Sequence, residues 1–176
     1  MAIREIVRLG HPALRTPAAP LPPARLRDAE VQALIDDMFE TMRAAHGIGL
    51  AAPQLGIGWQ LLVYQLEGQD PRALVNPMLE PQGGELVYDW EGCLSIPDLR
   101  GLVPRHAAVR SRALDRFGGA LDYLAEGLEA RVIQHEYDHL NGVVFLDRMR
   151  DFRSLAYSEE LERYLAADAE PGSAVG

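Results

Sequence analysis

Apolar residues along the chain are spaced so as to mark two helices with a run of strands between them. From about Asp28 to His46, Val31, Leu34, Ile35, Met38, Phe39 and Met42 recur at intervals of three and four, the repeat of one helical face. Gly47 stands where such a helix stops. A second helix is predicted from about Glu126 to Asn141, with Leu128, Val132, Ile133 and Leu140 packing it into the body and Gly142 as its stop. The segments Gln60 to Leu66, Ala73 to Asn76, Leu86 to Trp90, Leu102 to Leu114 and Ala120 to Leu124 are apolar or alternating, as strands are. Glycine-containing turns such as Phe117-Gly118-Gly119 join several of them. This order predicts an α+β fold, antiparallel β-sheets packed around a central helix, with no internal repeat. The proline-rich stretch from Thr16 to Pro23 reads as an irregular segment wrapping the body, and the last residues, from about 168 to 176, as a flexible tail.

Composition narrows the picture. A chain of 176 residues, 48% of them apolar, can bury one sizeable core, and no low-complexity linker divides it, so residues 1–176 read as a single domain. The formal charge of −9 disfavours an extended contact with a phosphate backbone and so predicts no direct DNA binding. No apolar stretch approaches the length of a membrane span, and no basic leader precedes an apolar run. Cys93 is the only cysteine and has no partner thiol within the chain, which points to a reducing compartment. Together with an N-terminus unlike a transit peptide, this predicts a bacterial cytoplasmic protein.

The candidate chemistry sits on the second helix. His135-Glu136-Tyr137-Asp138-His139 has the H-E-x-x-H spacing, which puts two imidazoles on one helical face with a carboxylate beside them. Two such histidines can grip one divalent cation while Glu136 handles the proton of a water; the same spacing also arises in ordinary helices with a surface histidine pair. A third ligand is needed, and Cys93, in Glu91-Gly92-Cys93-Leu94-Ser95, is the candidate thiolate, its alternative role being a small buried hydrophobe. The run Gly47-Ile48-Gly49-Leu50-Ala51-Ala52-Pro53-Gln54 can lie close to a ligand and present an amide donor, or can be only a helix stop followed by a turn.

Taken in order, G-I-G-L-A-A-P-Q, E-G-C-L-S and Q-H-E-Y-D-H-L resemble the three signature motifs of the peptide deformylases, over most of the chain from the N-terminal Ile-Val-Arg-Leu-Gly to Phe145-Leu146-Asp147. The resemblance implies a metal-dependent hydrolase that removes the N-formyl group from the initiator methionine of new proteins and releases formate. It implies one divalent ion, Fe(2+) foremost, with Zn(2+), Ni(2+) or Co(2+) as substitutes, on Cys93, His135 and His139. Metal-bound water would attack the formyl carbon with Glu136 as general base and then acid, and Gln54 and the backbone N–H of Leu94 would stabilise the oxyanion. Ile48, Gly49, Gly92, Leu128 and Val132 are the candidates for holding substrate, being apolar or small and next to motif residues. The partners implied are N-formylmethionyl nascent peptides and, transiently, the ribosome. A basic docking helix is not evident, because Arg150 and Arg153 are followed by Glu159, Glu160, Glu162, Asp168 and Glu170.

Two other readings stay open at this level, a metallopeptidase of another kind and a non-catalytic metal-stabilised module. The first would not need Cys93, and the second would need a fourth protein ligand. Arg131 precedes His135 by one helical turn and could bond a peptide carbonyl or pair with Glu91 or a nearby acid; the pairing is the expectation. His11, His46 and His106 have no ligand spacing with the site and read as surface or packing residues.

Overall fold

The computed structural model describes residues 2–168, with side chains as far as Tyr164. Helix α1 (Ala29–Ala44) starts after Asp28, whose backbone is extended, and buries the predicted stripe. Ile35 and Met38 are inaccessible to solvent, and each such side chain contributes roughly 1.5–3 kcal/mol. The stripe packs on Leu50, Leu61 and Val63 of the short strands β1 (Gly49–Ala51) and β2 (Leu61–Tyr64). The helix ends when His46 enters the left-handed region at φ 55° and Gly47 N–H donates back to the Met42 carbonyl at 2.9 Å. The stop therefore works as the sequence suggests, but the residues after it form a strand, which the run of small residues had hidden.

The remaining strands are β3 (Arg72–Cys93), β4 (Ile96–Leu114), β5 (Ala120–Glu126) and β6 (Ala156–Tyr157). They run antiparallel in the order β1-β2-β3-β4-β5, with β6 alongside β4. The expected pieces Ala73 to Asn76 and Leu86 to Trp90 are one strand. Its pairing with β4 shifts register between Val75 and Met78, between Gln82 and Leu86, and between Glu91 and Cys93. Pro77, Gly83, Gly84 and Gly92, which seemed to interrupt it, lie at these irregularities, where a strand tolerates them. Cys93 faces Ile96 across the hairpin, leaving Leu94-Ser95 as a two-residue turn.

Helix α2 (Gly127–Leu140) passes through the middle of the molecule. Ala130, Ile133 and Leu140 pack on Leu62, Tyr64, Leu74, Val109 and Ala125. Leu128 does not join them: it is 57% exposed, on the first turn of the helix at the mouth of a cleft. The helix is covered further along by α3 (Phe145–Arg148), whose buried Phe145 clusters with Cys93, Ile96 and Val103. The proline-rich segment wraps the body as expected: Ala18 N–H donates to the Leu140 carbonyl, and Ala19 bridges to Trp59. A last helix, α4 (Ser158–Asp168), follows β6, and the predicted tail beyond it lies outside the described residues. No helix among the described residues is long and apolar enough to cross a membrane.

Candidate metal centre

Two elements bring the candidate ligands together. His135 and His139 lie on one face of α2, their rings edge to face with centroids 5.1 Å apart. Cys93 arrives from the end of β3, where the tight turn holds its sulfur 3.3 Å from His139 Nε2. One ligand atom from each of the three residues lies within 4.8 Å of the others. That separation, and a donor set of one thiolate and two imidazoles, fits a tetrahedral cation with its fourth position open. Among the described residues this is the only such cluster. Burial holds His139 well below the usual histidine pKa, in the neutral form that ligates. At His135 burial also pulls downward, but hydrogen bonds to Cys93 and Glu91 outweigh it and raise the pKa well above normal, so a cation must displace a proton there.

Glu136 turns to the same cleft. It is 4% exposed, its Oε2 is buried without a hydrogen-bond partner, and burial pushes its pKa up to about 7. Gly49 makes room for it: a side-chain methyl at that position would collide with Glu136 Oε1. Gln54 is aimed by its own backbone neighbour. Ala51 N–H donates to its Oε1 at 2.8 Å, which leaves Nε2 directed at Cys93 Sγ, 3.5 Å away, and at Ser95 Oγ, 3.4 Å away. The cleft above has a volume of about 490 Å³, and its walls include Ile48, Gly49, Gly92, Leu94, Leu128 and Val132, so every predicted substrate residue borders it. His46, exposed as the sequence predicts, also borders it.

Beneath the ligands lies a buried ionic network that sequence reasoning largely missed. Glu91 accepts from His135 Nδ1 through Oε2 at 2.9 Å and takes both arms of Arg105 at 2.9 Å. Arg105 reaches on to Asp138, which Arg148 also grips. Burial would raise the pKa of Glu91, but Arg105 and His135 hold it down at about 2. Arg131 pairs with Glu91 at 2.7 Å, the structural pairing expected for it. The signal for Glu91 was its place two residues before Cys93; Arg105 carried none, because its partners are distant in sequence.

A buried helix offering two imidazoles and a carboxylate, met by a thiol from the end of β3 and an amide donor from the turn after β1, defines the class as a metal-dependent hydrolase. The sequence profile of the family described as Polypeptide deformylase matches residues 3–154. Peptide deformylase 2 of Bordetella bronchiseptica is 46% identical over 168 residues, covering 90% of this chain and 94% of that protein. Peptide deformylase 2 of Pseudomonas putida is 44% identical over the same shares. Among solved structures, a peptide deformylase from Synechococcus elongatus in complex with actinonin superposes with a TM-score of 0.79 at 42% identity, covering 93% of this chain and 85% of that one. One from Legionella pneumophila gives 0.80 at 36% identity, over 97% and 100%. The chain belongs to the peptide deformylase family, metal-dependent hydrolases that remove the N-formyl group from the N-terminal methionine of nascent proteins.

Proposed function

We propose that Cys93, His135 and His139 hold a single divalent ion, Fe(2+) in the native enzyme, and that Glu136, Gln54 and the Leu94 backbone N–H carry out deformylation around it. When bound, the ion supplies Lewis acidity, lowering the pKa of a water toward ~7 at neutral pH. Glu136 takes the proton of the attacking water through its unpartnered Oε2 and returns it to the departing amine. The water oxygen bonds to the formyl carbon, the C–N bond breaks, and formate leaves with the free amino group of methionine. Gln54 Nε2 and Leu94 N–H donate to the oxyanion, a contribution of about 2.7–4 kcal/mol for one such donor. Ile48, Leu128 and Val132 take the methionine side chain, and the small residues Gly49 and Gly92 let the peptide backbone approach.

The observation that carries this reading is the convergence, in one cleft, of the three-ligand cluster with a buried carboxylate oxygen that has no other partner. The test is formate release from formyl-Met-Ala-Ser by anaerobically prepared, iron-loaded protein, beside a Glu136→Ala variant that retains its metal. Release by the parent and its loss in the variant are expected; no release by fully loaded parent overturns the assignment. Ferrous iron beside a thiolate is open to oxidation, so iron-loaded protein should lose activity in air while nickel- or cobalt-loaded protein keeps it. Equal decay of all three forms would argue against iron.

The same reading places the protein in a bacterial cytoplasm, with residues 1–176 acting as one catalytic domain that meets nascent chains at the ribosome only transiently. The acidic first turn of α4, Glu159 and Glu160, supports docking by a route other than a basic helix.

A further inference from the structure

Arg131 stands in the wall of the cleft with its side chain only 10% exposed, where an apolar residue would fill the same space without desolvating a charge. Burying a guanidinium is costly unless it is hydrogen-bonded, and here its two terminal nitrogens are bonded to acceptors on two strands, β3 and β4. Nη1 donates to Glu91 Oε1 at 2.7 Å and to the Val103 carbonyl of β4 at 3.0 Å, and Nη2 to the Val87 carbonyl of β3 at 2.6 Å. His135, one turn further along α2, takes the other oxygen of the same carboxylate, Oε2, at 2.9 Å. Two successive turns of α2 therefore grip one carboxylate, oxygen by oxygen. Arg105 ties Glu91 to β4 and, through Asp138, to the far end of α2; Arg131 holds the carboxylate directly from the turn of α2 before His135.

We infer that Arg131 is a positioning residue for the metal, acting through Glu91 to set the ring orientation of His135 while clamping β3 and β4 to α2; this rests on the ligand set proposed above. A ligating imidazole is oriented by the partner of its other nitrogen, and removing such outer partners typically weakens metal affinity or activity about 10–100-fold. The alternative, that Arg131 only shapes the substrate cleft or only stabilises the fold, makes different predictions.

The experiment uses Co(2+) as a spectroscopic probe, with parent, Arg131→Met and Arg131→Lys compared for visible absorption, Co(2+) affinity in competition with a chelator, and kcat and KM on formyl-Met-Ala-Ser. Arg131→Met should shift the cobalt absorption bands and weaken Co(2+) binding by about 10-fold or more, and lower kcat more than it raises KM. Arg131→Lys, which can restore one bond to Glu91 but not the fork to Val87, should recover the bands in part. Parent-like bands and affinity in both variants, whether KM rises or only the melting temperature falls, overturn the inference. Failure of the parent to bind one Co(2+) with a thiolate charge-transfer band would instead overturn the ligand set itself.

Discussion

Glycine at position 49 is set by Glu136. The carboxylate lies where a Cβ at residue 49 would be, so a methyl group there must displace the carboxylate, the strand, or both. Misplacement of a reacting group by about 1 Å can cost on the order of 10²-fold in rate. Gly49→Ala should accordingly lose about 10²-fold in kcat with its metal content unchanged, as read by steady-state kinetics beside metal analysis. A variant with parental kcat would show that Glu136 tolerates the shift and is not held to a single geometry. At this scale the sequence was legible where motifs carry their residue types together: Cys93, His135, Glu136, His139 and Gln54 all converge. It was silent on the orientation of Gln54, which depends on the Ala51 N–H accepted by its Oε1.

Helix α2 is an amphipathic helix only in part, because its polar side is buried as well. Arg131, His135 and Asp138 are satisfied by residues of β3 and β4: Glu91 from the one strand takes Arg131 and His135, and Arg105 from the other takes Asp138. Such a network stabilises little in net terms, but breaking it by removing one partner leaves buried charges uncompensated. Arg105→Met should therefore destabilise the protein by about 3–5 kcal/mol, measured by urea unfolding. A loss below about 1 kcal/mol would mean that water reaches Glu91 and Asp138 once the guanidinium is gone. Helices α1 and α2 were legible to within a few residues because each keeps an apolar stripe, whereas α3 and α4 were not foreseen. The long β3 was not, since its pairing with β4 shifts register at Pro77, at Gly83-Gly84 and at Gly92, the residue types that mark turns in a sequence.

The whole molecule is closed by contacts between parts distant in the chain, and one of them makes stability depend on alkaline pH. Tyr64 of β2 bonds Tyr123 of β5 at 2.8 Å and Glu129 of α2 at 2.7 Å. Burial, then those hydrogen bonds, raise its pKa well above the ordinary tyrosine value of 10. A folded-state pKa above the unfolded one contributes stability that is complete below pH 10 and declines as pH rises past it. The decline is about 1.4 kcal/mol per pH unit, because the unfolded chain then releases a proton that the folded one keeps. Tyr64→Phe should lower stability at neutral pH by about 1 kcal/mol yet flatten the loss above pH 10, as followed by denaturant titration at each pH. An unchanged alkaline slope would show that Tyr64 ionises in the folded protein.

The sequence by itself determined the fold class, the two main helices, the three motifs and the family they indicate. It could do so because a helical stripe and an H-E-x-x-H pentapeptide are short-range patterns, written within one or two turns. Only the tertiary structure decided that the thiol meets the imidazoles, that Gly49 yields its space to Glu136, and that Arg105 and Arg131 hold Glu91 beneath the metal ligands. Those contacts join residues tens of positions apart, and their energies depend on burial and register that arise only once the core has closed.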